Sequence, residues 1–219
     1  MRNLFCTIAA VAMLAGCAAP TKRAVDAGAT SALRNQTLAV TVRPMPDFAA
    51  MTAGKAAFAV LGALAMISEG NRLVALHKLP DPGVAIAGGA AGALEAAHAM
   101  RLVQPPVAVS GTDPAAMARA ARGKARYLLD VETRYWGYGY FSTDWTHYAA
   151  RHTALARLID TETGAVMAEG FCKYWPESNA GAPTHDELFA NDAALLKRLF
   201  SNAASACVQT LRTEMLGLR

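Results

Sequence analysis

Apolar and polar positions alternate most regularly near the middle of the chain. Tyr127, Leu129, Val131, Thr133 and Tyr135 share one side of an extended segment, and Asp130, Glu132 and Arg134 share the other. That period of two predicts a half-buried strand. His152 to Ile159 and Ala165 to Tyr174 read as two more strands. Asp160-Thr161-Glu162-Thr163-Gly164 joins them, and its glycine suits the φ > 0 position of a turn, so the two are expected to pair antiparallel. Two shorter β-branched runs, Leu38 to Val42 and Val107 to Val109, add strands further upstream.

Between these strands the period changes. Ala49 to Ser68 is alanine-rich, and its charge-free part from Ala56 to Ile67 is shorter than the roughly 20 residues that a membrane span needs, which predicts a buried helix. Asp81-Pro82 opens another helix by the cap-then-proline rule, and it runs to about Arg101 with Glu95, His98 and Arg101 on one face. Gly88 and Gly92 on that helix predict close packing against the preceding alanine-rich helix. Asp113-Pro114 and Gly123 bracket a third helix. Thr184 and Glu187 form a capping box at the start of a fourth, whose core stripe is Leu196, Phe200, Ala203, Cys207 and Leu211. The pattern therefore predicts an α/β (α+β) fold: a mixed sheet of about five strands with an antiparallel three-strand section, and helices packed against it.

The chain has 219 residues, of which 53% are apolar and 17% charged, enough for one domain with its own core. Its formal charge of +4 is scattered and not striped, which argues against a nucleic-acid partner.

The first 16 residues read as a cleaved export signal: Arg2 supplies the charge, Leu4 to Leu14 the apolar run, and small residues follow. Leu14-Ala15-Gly16-Cys17 resembles a bacterial lipobox. That resemblance implies a diacylglycerol on the Cys17 thiol and an acyl chain on its amino group; no other cofactor is expected. Several acyl chains hold a protein on a bilayer far more firmly than one. Ala18, where an aspartate resembles an inner-membrane retention signal, favours the periplasmic face of the outer membrane. The domain reading is signal peptide 1–16, lipidated tether 17–37 and periplasmic α/β domain 38–219. Cys6 leaves with the signal, so Cys172 and Cys207 remain as thiols in an oxidising compartment and are expected to form a disulfide between sheet and helix.

Candidate chemistry is sparse. The sequence has no G-x-S-x-G, H-E-x-x-H, C-x-x-C or Walker-type loop, so no catalytic residue is assigned and the chain is read as a non-enzyme. No metal site is expected either. His147 and His152 are five residues apart and point to opposite faces of a strand, with a surface or capping role expected; His185 belongs to the capping box. Asp130 and Glu132 are a conceivable carboxylate pair for glycan cleavage, but adjacent acids on a wet strand face ordinarily just solvate it. The strongest anomaly is aromatic: seven of the sixteen aromatics lie between Tyr135 and Tyr148, interleaved with Gly137 and Gly139. Trp136, Tyr138, Tyr140, Phe141 and Trp145 are the candidate partner-binding residues of an exposed loop. The alternative is a local mini-core that fixes the connection between strands.

The order of elements, the lipobox, and the stretches YLLDVETRYW, FSTDWTHY and LARLIDTETGAVMAEGFC resemble a group of proteobacterial outer-membrane lipoproteins. More remotely they resemble the α/β lipoproteins that include peptidoglycan-synthase activators and the curli-secretion lipoprotein. The resemblance implies a periplasmic domain that acts by binding, and it supplies no catalytic residues. The expected function is thus a non-catalytic binding or assembly module of the cell envelope with an envelope protein as partner. The alternatives are a self-assembling, membrane-associated oligomer built through helices 49–101 and a glycan-acting enzyme.

Overall fold

The central alternation extends well past Tyr135. A computed structural model describes residues 22–56 and 59–218, the side chains of 55–61 excepted. The signal peptide and Cys17 lie outside the described residues. In chain order the elements are α1 (Thr30–Leu33), β1 (Thr37–Val42), β2 (Ala49–Met51), α2 (Ala53–Ala56), α3 (Ala59–His77) and α4 (Pro82–His98). There follow β3 (Arg101–Leu102), β4 (Val107–Ala108), α5 (Pro114–Ala121), β5 (Tyr127–Phe141), β6 (Asp144–Asp160), β7 (Val166–Tyr174) and α6 (His185–Thr210), which ends in a π-turn at Leu211–Met215.

The mixed sheet runs β3-β1-β5-β6-β7, with β4 on β1 and β2 on upper β5. β5, β6 and β7 are the antiparallel section, while β1, β2, β3 and β4 pair in parallel. The β6–β7 turn closes as expected: Gly164 has φ +77°, and Asp160 Oδ1 accepts from the Glu162 and Thr163 amides at 2.9 and 3.0 Å.

Helices cover the two faces unequally. On one face α4 and α6 bury Leu38, Leu129, Val131, Ala156 and Leu158 under Ile86, Ala90, Leu94, Ala204 and Leu211. Alanine and glycine let these layers approach closely: a Cβ at Gly89 would lie 2.6 Å from Val208 Cγ2. Higher on the same face, Trp136, Tyr138 and Ala150 pack with Phe48, Leu73, Leu188 and Phe200. The opposite face is covered only at its lower end, where Met117, Ala118 and Ala121 of α5 meet Ala39, Leu128 and Ile159. Asp81, Asp113 and Thr184 cap their helices as the sequence predicts.

Four features depart from the pattern. Ala49–Met51 is a strand and not the start of the alanine-rich helix, because Gly137 leaves room for it: a Cβ there would sit 2.2 Å from the Ala49 carbonyl oxygen. α4 packs against α6 through Gly89, whereas Gly88 and Gly92 have no neighbour within 4 Å of where a Cβ would be. α6 is interrupted at Ala190–Ala193, where Asn191, Asp192 and Ala193 adopt positive φ. Finally, the stretch expected as a tether is docked from Arg23 onward. Arg23 bridges Glu169 on the free edge of β7, the Val25 amide donates to Met215 O at 2.8 Å, and Leu33 is buried.

Cys172 of β7 and Cys207 of α6 form a disulfide with Cα atoms 5.4 Å apart and a sequence separation of 35. Loop-closure entropy for a loop of that length corresponds to about 4 kcal/mol. The double substitution C172A/C207A is expected to lower unfolding free energy by about that amount in urea denaturation. An unchanged midpoint contradicts the role given to the cross-link.

Candidate interaction surface

The seven-aromatic segment is not a loop. It is the upper end of β5, the turn, and the start of β6, so a period of two divides its side chains between faces. Trp136, fully buried, meets Phe48 edge-on at 4.8 Å and donates its indole N–H to Pro46 O at 3.1 Å. Tyr138 is enclosed by Tyr148, His185 and Phe189, and burial pushes its phenol well above the usual range. Phe141 is buried as well. The expectation of an exposed contact loop is therefore corrected for Trp136 and Tyr138, which form a mini-core on the side that α3 and α6 cover, and for Phe141, which is buried beside the turn. Tyr140 is half-buried against the same core, and only Trp145, 63% exposed, stands fully at the surface, its ring centroid 6.3 Å from that of Tyr140.

Beyond the reach of α5 the opposite sheet face is open. Tyr135 meets Trp175 there at 5.4 Å, and Trp175 is 37% exposed. The Arg151 guanidinium lies 4.8 Å from the Trp175 ring centroid and the Lys173 ammonium 5.4 Å from it, so two cations share one indole. Arg151 donates from Nη2 to Tyr140 O at 2.9 Å, and its buried Nε has no partner. Gly139 makes the space, since a Cβ at that position would stand 2.8 Å from Arg151 Nη1. Burial raises the Tyr135 phenol, and Arg151 opposes that rise. Leu155 and Phe171, paired across β6 and β7 and half-buried, continue the face downward. Sequence reading missed Arg151, Lys173 and Trp175. Only strand register brings them beside Tyr135, and the one signal for them is the alternation of β6 and β7.

Asp130, expected on a solvated face, is fully buried. It accepts from Thr41 Oγ1 at 2.9 Å, from Arg43 Nε and Nη2 at 2.8 and 3.0 Å, and from Arg157 Nη2 at 2.9 Å. Glu132 is held by Arg134 at 2.9 Å and by Arg157 at 3.3 Å. The segment between β4 and α5 closes over this cluster, with Arg157 donating to Thr112 O at 2.8 Å. Both carboxylates are thus committed to arginines.

His152 is buried, with no surface role. Its Nε2 lies 3.3 Å from Thr133 Oγ1, which donates to the α4 cap Asp81 at 2.6 Å, and burial lowers its pKa to about 4. His147 pairs with Asp144 at 2.6 Å, and hydrogen bonds from Thr146, Asn179 and His147 hold that carboxyl far below the usual range. His185 stacks among Tyr138, Tyr148 and Phe189. Among the described residues no group of three His, Cys, Asp or Glu side chains is placed to hold a metal ion, and no helix is long and apolar enough to cross a membrane.

No family model matches the chain, and no curated protein does. Among solved structures it is similar to the PelC dodecamer from Paraburkholderia phytofirmans at 19% identity, covering 92% of this chain and 95% of that one, with a TM-score of 0.37. It is also similar to a DUF330 protein from Xanthomonas campestris at 13% identity, covering 86% and 90%, with a TM-score of 0.40.

Two outcomes are expected from the buried charges. Asp130→Ala removes the carboxylate that Arg43 and Arg157 share and leaves Arg157 only the Glu132 contact at 3.3 Å, which should cost about 3–5 kcal/mol in urea denaturation at neutral pH; a loss below about 1 kcal/mol argues against the clamp. For His152 the folded pKa of about 4 lies below the usual 6.5, so the unfolded chain binds the extra proton. That contribution to stability is complete above pH 6.5 and is lost as the pH falls toward 4. Stability curves at several pH values in that window should be flatter for His152→Gln, and an equal slope in both proteins contradicts this.

Proposed function

We propose that the chain is a non-catalytic binding module of the cell envelope, lipid-anchored through Cys17 on the periplasmic face of the outer membrane, which captures an envelope protein on its open sheet face. The observation that carries this reading is the grouping of Tyr135, Arg151, Lys173 and Trp175. Aromatic and arginine side chains dominate binding hot spots, and here they stand together beyond the part of the face that α5 covers. Trp145, 63% exposed at the hairpin tip, is a further aromatic open to a partner, while Tyr140 beside it packs against the Trp136–Tyr138 core. The two cations suit a partner segment that carries carboxylates beside an apolar anchor. The Cys172–Cys207 bond supports export, because such cross-links persist in oxidising compartments.

Self-association is a second reading with its own observation. Val42, Met45 and Val84 are exposed large apolar side chains near Arg43, where Val42 and Val84 line a hollow of about 220 Å³. A single subunit by light scattering in detergent contradicts that reading.

The main reading is tested by in-cell photo-crosslinking from p-benzoylphenylalanine placed at Trp145, with and without Trp175→Ala. Capture of a distinct envelope protein is expected. Loss of a hot-spot tryptophan costs about 2 kcal/mol or more, so capture should weaken roughly thirtyfold while the circular dichroism stays unchanged. Capture indifferent to Trp175→Ala overturns the reading.

A further inference from the structure

We infer that one pole of the domain, where the chain joins at Lys22 to Val25, lies against the lipid leaflet that holds Cys17. The inference rests on the anchor reading given above. Lys22 is tied to Glu214 at 2.9 Å, Arg23 bridges Glu169, and the Val25 amide donates to Met215 O. The chain is thus fixed to the domain from Lys22 onward. Only residues 18–21 separate Lys22 from Cys17, and five Cα-to-Cα steps reach at most about 18 Å. The anchored pole therefore cannot stand clear of the headgroups by more than that.

The surface beside the junction fits such a neighbour. The segment carrying Glu214 continues to Gly217 and Leu218, which with Ala93, Ala96 and Arg212 line a groove of about 540 Å³ between the C-terminal end and α4. Exposed Arg34 and Arg101 flank the end of α4: Arg34 acts electrostatically on His98, and the Arg101 amide donates to Gln36 O at 2.8 Å. Glu214 is paired with Lys22, and the exposed Arg34 and Arg101 are placed to face anionic headgroups, which draw cations close to such a surface.

Orientation follows from the strand register. Glu169, which Arg23 bridges, pairs across the sheet with Arg157. From Arg157 to Asp144, β6 extends away from the anchored pole by roughly 40 Å at about 3.3 Å per residue. Trp145 then stands at the far end of the hairpin, away from the groove.

The test uses the full-length acylated protein reconstituted in vesicles of phosphatidylethanolamine and phosphatidylglycerol. p-Benzoylphenylalanine is placed at Ala96 in one preparation and at Trp145 in another, and mass spectrometry reads both the Cys17 peptide and the adducts. Lipid adducts at least tenfold more abundant from Ala96 than from Trp145 are expected. Equal or reversed yields with Cys17 acylated overturn the apposition and leave the anchor standing, as does an Ala96 adduct to a second copy of the chain. An unacylated Cys17 removes the anchor reading and this inference together.

Discussion

The antiparallel pairing of β5 with β6 governs what every other element can do. Their register runs from Tyr127 opposite Asp160 to Phe141 opposite Asp144, with a bulge between Thr133 and Tyr135. Each residue's face is then fixed by parity, and the bulge resets that parity above it. Val131 and Trp136 consequently lie under helices on the same face although their numbers differ in parity. Tyr135 is sent to the opposite side, where it meets Trp175. Every later choice of core or surface in the upper half of the sheet depends on this shift.

Charge burial completes the arrangement at mid-height. Asp130 projects from β5 away from α4 and α6, under the β4–α5 connection, and it is tolerated there because Thr41, Arg43 and Arg157 together satisfy its oxygens. A buried carboxylate with such partners ties β1, β5 and β6 to one another and favours this register over a slipped one, in which Asp130 would lose all three. The disulfide acts at a different seam, between β7 and the C-terminal half of α6. The two constraints hold opposite faces of the same ribbon.

Much of the fold was legible in the sequence, because alternation, proline-led caps and the Thr184–Glu187 box are local signals. The observed fold is the mixed sheet with an antiparallel three-strand section and packed helices. Local reading failed where long-range steric room decides: Ala49–Met51 becomes a strand only because Gly137 lies some ninety residues away in sequence. The aromatic cluster shows the same limit. Composition singled out residues 135–148, yet the bulge beside Tyr135, invisible to a period count, sorts Trp136 and Tyr138 into the core. The cations that complete the surface come from β6 and β7, and neither Arg151 nor Lys173 carries any local mark. Asp130 reads as solvated from local pattern for a related reason: its arginines arrive from just past the end of β1 and from β6, far along the chain.

Chemical accessibility of the tryptophans tests the central claim most directly. Trp136 belongs to the core, and Trp145 and Trp175 stand at the surface, which the proposed function assigns to an envelope partner. A tryptophan-selective reagent should modify Trp145 and Trp175 but not Trp136 in the purified folded protein, and Trp175 should become protected in intact envelopes. Equal reactivity of Trp175 in both settings, or modification of Trp136 in the folded protein, contradicts the account.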